Sequence, residues 1–274
     1  MAKQAELVVG AALNLQDIAA HRDWLFERDR PLEIQDFCDV HLISEDWSDR
    51  ARVARQLLDG FQGQVGLHGP FYGIDLGVED REFQGLVRKR LQQGLDACAA
   101  FGASQMVLHS PYSYWDHNNL GNWPGATRRK LEVVLDNLQA AISRAEDMGV
   151  ELVLENIEDI DPAWRGQLVQ AADSRALKLS IDTGHAHYAH VSHGAPPVDY
   201  FINVAGNDLA HVHLQDVDGY ADRHWHPGEG SVPWHAVFAA LRRLQRPPRL
   251  LLEVVDVANL RKGADYLSSL GFCV

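Results

Sequence analysis

The stretch ELVLENIE, residues 151–158, sets three apolar side chains after Glu151 and closes them with a second acid, Glu155. The run is too short for a typical helix. Continuous apolar runs of this length read as strands buried on both faces, as in a parallel sheet. A charged residue at the end of such a strand is almost never buried unless it is paired or bound to a cation. What stands at the ends of the other runs therefore decides both fold and function.

Seven further runs have the same form: ELVVGAAL (6–13), LEIQDF (32–37), QVGLHGPF (64–71), MVLHSPY (106–112), LKLSIDTGHA (177–186), LAHVHLQD (209–216) and RLLLEVVD (249–256). Helical patterns lie between them. SDRARVARQLLDGF (48–61) opens on Ser48, and DREFQGLVRKRLQQGLDACAAFG (80–102) opens on an acid and closes on a glycine. TRRKLEVVLDNLQAAISRAEDMG (127–149) begins at Thr127 and also ends on a glycine, the asymmetry expected of helix ends. Shorter helices are expected near 15–28, 164–174, 197–206, 233–245 and 256–270. Eight strands, each followed by a helix, is the count of a closed (β/α)8 TIM barrel. The competing doubly wound open sheet lacks a GxGxxG after its first strand. No linker or low-complexity segment divides the chain, so residues 1–274 are expected to form one domain.

Composition narrows the function classes. A hydrophobic fraction of 46% suits a globular protein with a sizeable core. The formal net charge of −13 disfavours a nucleic-acid binder, whose affinity comes largely from neutralising phosphates. Cys38, Cys98 and Cys273 form no CxxC pair, which fits a reducing compartment rather than a disulfide framework. The start, MAKQAELVVG, shows no leader pattern, and no run of 18 apolar residues occurs. A cytoplasmic protein with no membrane partner is expected.

Fourteen histidines are many for this length, and most fall in the second half. His68, His109, Glu155, Asp182, His185, His213 and Glu253 stand at or near strand ends, and Asp222 and His224 follow the seventh strand. In a barrel all C-terminal strand ends meet at one rim, which carries the active site. Four carboxylates facing one another would repel, and divalent cations remove that repulsion. Mixed imidazole and carboxylate donors suit Zn, Mn, Fe or Co. Nine ligands exceed what one ion needs, so two or three ions are expected.

The segments HGPF, VLHSP, LENIED, IDTGHAH, HVHLQD, DRHWHPGEG and LLLEVV resemble the xylose isomerase-like TIM-barrel superfamily. That group includes the endonuclease IV type of AP endonuclease and many sugar-phosphate isomerases and epimerases. The endonuclease-type site implies one ion on His68, His109 and Glu155. Glu155 would bridge to a second ion on Asp182, His213 and Glu253, and His185, Asp222 and His224 would hold a third. The isomerase branch implies a single ion on Glu155, Asp182, His213 and Glu253, with Glu155 and Glu253 as the acid–base pair. The loop 38–48 carries no Arg or Lys, unlike the DNA-gripping loops of the endonucleases, and LEIQDF is closer to the isomerase branch.

Several rim residues are expected to touch substrate. Phe71 stands where the endonucleases place an aromatic wedge. Tyr112 and Trp115 belong to an aromatic loop (110–127) that either walls a small-molecule pocket or contacts a second copy of the chain, in which case a homodimer follows. His187 and His226 are candidate phosphate contacts, and Arg223 is a candidate anion-binding or ligand-supporting residue. Asp36 and Asp216 are candidates for holding a ligand in place. The stretch after Asp182, with His187, His190 and His193, reads as a solvated histidine-rich loop. The leading expectation is metal-assisted hydrolysis of a small phosphoester. Isomerisation or epimerisation of a sugar or sugar phosphate is the alternative, and AP-site cleavage in DNA ranks third. A non-enzymatic metal-binding or interaction protein is a fourth reading, disfavoured because the charged residues concentrate at one rim.

Overall fold

The computed structural model describes residues 6–274. The leader expectation falls partly on residues 1–5, outside the described residues. Eight parallel strands close a barrel in chain order: β1 (Val9–Leu13), β2 (Leu32–Ile34), β3 (Val65–His68), β4 (Gln105–His109), β5 (Glu151–Glu155), β6 (Leu177–Asp182), β7 (Leu209–Leu214) and β8 (Arg249–Leu252). Helices α1 (Ile18–Glu27), α2 (Ser48–Leu57) and α3 (Arg81–Phe101) follow the first three strands. Then come α4 (Tyr114–Asn119) and α5 (Ala126–Met148) after β4, and α6 (Ala163–Ala172) after β5. Next are α7 (Thr183–His193) and α8 (Val198–Ala205) after β6, α9 (Trp234–Leu241) after β7 and α10 (Arg261–Ser269) after β8. The expected TIM barrel is the fold found.

The strands obey one division of labour. Leu152, Leu154, Leu177, Leu179, Ile181, Val212, Leu250 and Leu252 pack outward against the helices and are almost wholly buried. Alternate residues point into the barrel, where the polar side chains collect. The barrel closes where β1 pairs with β8, Val9 opposite Leu250 and Ala11 opposite Leu252, and Arg30 braces the start of β1, its Nη1 donating to the carbonyls of Val9 (2.9 Å) and Val274 (2.8 Å). The Val274 N–H in turn donates to Leu7 O at 2.9 Å, which ties the C-terminal end to the first strand.

Two connections differ from the sequence reading. The histidine-rich stretch after β6 is helix α7, not a solvated loop. Asp182 caps it by accepting the His185 N–H at 2.7 Å, and His187 is buried on its inner face. The long aromatic loop after β4 contains α4, closed by a capping box in which Ser113 and Asp116 exchange side-chain and backbone hydrogen bonds. Both helices are short, and the caps that start them are single polar residues, so apolar periodicity alone does not reveal them.

The register of β6 against β7 slips by one residue between Leu179 and Ser180, so that Ser180 pairs with His211 and Asp182 with His213. Without the slip Asp182 would lie opposite Val212, which faces the helices. Because side chains alternate, a one-residue shift exchanges the two faces. The slip therefore brings the inward Asp182 and His213 side by side.

Candidate metal centre

His68, His109, Glu155 and Asp182 are the last residues of β3, β4, β5 and β6, His213 is the penultimate residue of β7, and Glu253 follows β8 directly. His185 sits in the first turn of α7, and Asp222 and His224 on the loop after β7. The structure brings these nine side chains into three groups whose donor atoms lie within 4.8 Å of one another: His68–His109–Glu155, Glu155–Asp182–His213–Glu253 and His185–Asp222–His224.

Glu155 belongs to two groups because its oxygens face opposite ways. Oε2 lies 3.7 Å from His68 Nε2 and 3.8 Å from His109 Nε2. Oε1 lies 2.9 Å from His213 Nδ1, which is also 3.3 Å from Glu253 Oε2. In the third group Asp222 Oδ2 lies 3.3 Å from His185 Nε2 and 3.2 Å from His224 Nε2. Two donors on one tetrahedral ion with bonds of about 2.0–2.1 Å stand about 3.3 Å apart, so these spacings suit shared ions.

The ring orientations agree. The Nδ1 atoms of His68, His185 and His224 lie 3.0, 3.0 and 3.1 Å from the backbone carbonyls of Gly69, Asn156 and Glu253. A carbonyl only accepts, so each Nδ1 carries a proton and each Nε2 is the atom turned toward the carboxylates, where a cation could take the place of a second ring proton. His213 is turned the other way. Its Nε2 faces Glu33 Oε1 at 3.0 Å, which leaves Nδ1 for the quartet. Carboxylate or carbonyl partners that fix a ligand's tautomer in this way are typical of metal sites. Glu155 Oε2 and Asp182 Oδ2 are buried without a hydrogen-bond partner, which a cation would satisfy. The residues fit the group.

Electrostatics point the same way. Burial raises the Asp182 carboxyl to about 6, and the charges of Glu155 and Glu253 add to the rise against the pull of His185. Burial would pull the His185, His213 and His224 rings down, but the surrounding carboxylates win and hold all three up, His224 to about 9. Glu155 stays well below the usual carboxylate range despite its burial, because His213, His68 and His109 surround it. His109 goes the other way, pushed down to about 3 by burial. Protons hold this assembly together without ions, and cations can replace them.

The other expected contacts lie outside the three groups. Phe71 stacks on His109 with ring centroids 4.1 Å apart and forms a wall beside the first group. Trp115 is exposed at the rim and stacks on Trp123, whereas Tyr112 is buried under Trp164. His187 Nε2 bonds Ser231 Oγ at 2.8 Å. Arg223 pairs with Asp218 at 2.9 Å and lies over the Trp225 ring. His226 is buried, with Nε2 3.6 Å from Asp256 Oδ2. Asp36 anchors the Leu15 N–H. Asp216 accepts from the N–H groups of Val217, Gly228 and Val232 and from Trp234 Nε1, all within 3.0 Å, and so shapes the loop that carries Asp222 and His224. Gly230 is needed there, because a Cβ would meet Val217 O at 2.3 Å.

Sequence reasoning missed Glu33, His211, Gln35 and Gln215. Glu33 is buried inside the barrel, where His211 Nε2 also approaches its Oε2 to 3.1 Å. Gln35 donates to Glu253 Oε1. The available signal was a charged residue inside the apolar LEI of β2 and the alternate histidines of HVH in β7.

A family model described as xylose isomerase-like TIM barrel matches residues 32–270. The fructoselysine 3-epimerase of Escherichia coli O157:H7 is 29% identical over 103 residues, 36% of this chain and 36% of that protein. A solved Thermus thermophilus protein, soaked with ZnCl2, superposes with a TM-score of 0.74 at 26% identity, covering 96% of this chain and 98% of that one. A D-tagatose 3-epimerase-like protein superposes with a TM-score of 0.77 at 20% identity, covering 96% of each chain.

Proposed function

The chain belongs to the xylose isomerase-like TIM-barrel family, and from that premise we propose that it isomerises or epimerises a sugar or sugar-like substrate with the help of a divalent ion. The observation that carries this reading is the meeting of Glu155 and Glu253 at one atom, His213 Nδ1, from two different strand ends. Glu155, Asp182, His213 and Glu253 would hold the ion, from among Zn, Mn, Fe and Co. When bound, it supplies Lewis-acid polarisation of a substrate carbonyl.

The two glutamates divide the proton work. The Glu253 side chain is 12% exposed and faces the mouth, whereas that of Glu155 is 1% exposed. Gln35 holds Glu253 Oε1, so Oε2 takes a proton from the carbon beside the carbonyl. For the epimer, Glu155, ionised in the metal-free protein, would first take a proton from solvent and give it to the opposite face of the same carbon, and the proton gained by Glu253 would leave to solvent. For the isomer, Glu253 would return its proton to the former carbonyl carbon while the hydroxyl proton of the neighbouring carbon passes to the former carbonyl oxygen. Phe71, flat against His109, would give the sugar ring an apolar face, and His187, Arg223, His226, Tyr112 and Trp115 would act through the surrounding loops.

The partial match to a fructoselysine 3-epimerase favours this reading over hydrolysis. Hydrolysis of a small phosphoester stands as the second reading, because the two triads flank the quartet and closely spaced ions can clamp attacking and leaving oxygens. Incubation of the metal-loaded protein in D2O with a panel of ketoses and ketose phosphates tests the choice. Proton NMR should show exchange at a carbon beside the carbonyl, lost in Glu253→Gln. Release of phosphate without any such exchange would overturn the reading in favour of hydrolysis.

A further inference from the structure

Gln215 lies two residues beyond His213 and is fully buried. Its amide is used in three directions. Nε2 donates to Asp182 Oδ1 (3.1 Å) and to Asp222 Oδ1 (2.8 Å), and Oε1 accepts the His224 backbone N–H (2.9 Å). A side-chain amide has two N–H donors, and here they go to carboxylates of two different groups: Asp182 in the quartet, Asp222 in the His185–Asp222–His224 triad. The third bond holds His224 in a left-handed backbone conformation, with φ of 48°, that a non-glycine residue rarely adopts without support.

The amide has been given a seat. A Cβ at Gly184 would lie 2.3 Å from Gln215 Cδ, 2.4 Å from Oε1 and 2.7 Å from Nε2. Gly184 itself stands between Asp182 and His185, so the glycine that admits the amide belongs to the same turn as the ligands. The triad needs such a strut more than the quartet does. Asp222 is on a loop, with its side chain 44% exposed, whereas the quartet sits on or directly after strands. A donor is needed at this position, since a carboxylate only accepts and would face two others.

We infer that Gln215 is the positioning residue that assembles the His185–Asp222–His224 triad and fastens it to the quartet, and so determines whether the chain takes up an ion there. The inference rests on the reading of both groups as metal ligands. Its test is zinc titration of the full-length protein against a chromophoric chelator, with anomalous diffraction at the zinc edge to place each ion. Three variants are compared with the wild type: Gln215→Ala, Gln215→Met, which keeps the volume but has no donor, and Gly184→Ala, which crowds the same amide from the other side. Affinity at the triad should fall about 10–100-fold in each, while the ion on His68, His109 and Glu155 keeps its affinity. A merely structural role would weaken all ions together, and that result overturns the inference, as does wild-type affinity at the triad in the variants. A wild type with an ion at the quartet and none at the triad refutes the inference alone. A wild type with no ion at the quartet refutes the proposed function as well.

Discussion

Glu33 has no water to face, and its charge is tolerated only because two imidazoles approach it. Burial would raise its carboxyl, yet His213 and His211 hold it far below the usual carboxylate range. In return it fixes His213 with Nδ1 directed at the quartet. Glu33→Gln should therefore weaken ion binding at the quartet by about 10–100-fold in a chelator competition, and unchanged affinity would remove Glu33 from the metal site. His224 supplies a pH dependence. In the metal-free protein its imidazole is held at about 9 against an ordinary 6.5, so its proton stabilises the fold fully below pH 6.5 and this contribution is lost as pH rises through about 9. Asp182, raised from 3.8 to about 6, acts with the same sign at lower pH. Melting curves of chelator-treated protein should fall between pH 6.5 and 9, and those of ion-loaded protein should stay flat there. Equal slopes would contradict the exchange of proton for cation. The nine rim residues were legible because each is a polar residue at a strand end or in the segment that follows one. Glu33 was not, because its partner His213 lies 180 residues away and only barrel closure makes them neighbours.

Individual elements hold the rim through buried polar straps. Arg165 on α6 donates to Asp159 Oδ1 at 3.0 Å and to the carbonyls of Leu154 and Ser180 at 2.7 Å each, joining β5 to β6 just beneath Glu155 and Asp182. Asn156 adds a second tie, giving to Asp182 O and accepting from Asp182 N. Arg165→Ala would leave Asp159 in the interior without its cation, held only by Ser110 Oγ and the Ile157 N–H, a cost of about 3–5 kcal/mol. Chemical denaturation should show it, and a loss under about 1 kcal/mol would mean that water reaches the site. The eight strands and most helices were readable from runs and periodicity. The β6–β7 slip was not, since LKLSID alternates throughout, LAHVHL does so from Ala210 onward, and only their pairing fixes the register. Helix α7 was hidden for a related reason: its cap, Asp182, also reads as a metal ligand.

The whole molecule gathers five imidazoles and four carboxylates at one mouth of a closed barrel, on a chain with a net charge of −13. No helix among the described residues is long and apolar enough to cross a membrane. The charge opposes a polyanionic partner, so abasic duplex DNA should not bind at about 150 mM salt in a fluorescence anisotropy titration. Tight, salt-sensitive binding would revive DNA cleavage. The centre depends most on Glu155, whose two oxygens serve two groups. The ion content of the full-length protein and of Glu155→Gln, determined by elemental analysis after metal loading, is therefore the most direct measurement. The wild type should carry ions that the variant loses from both groups, keeping at most the one on His185, Asp222 and His224. An equal ion content in the two proteins, or none in the wild type, would contradict the metal centre and the chemistry built on it.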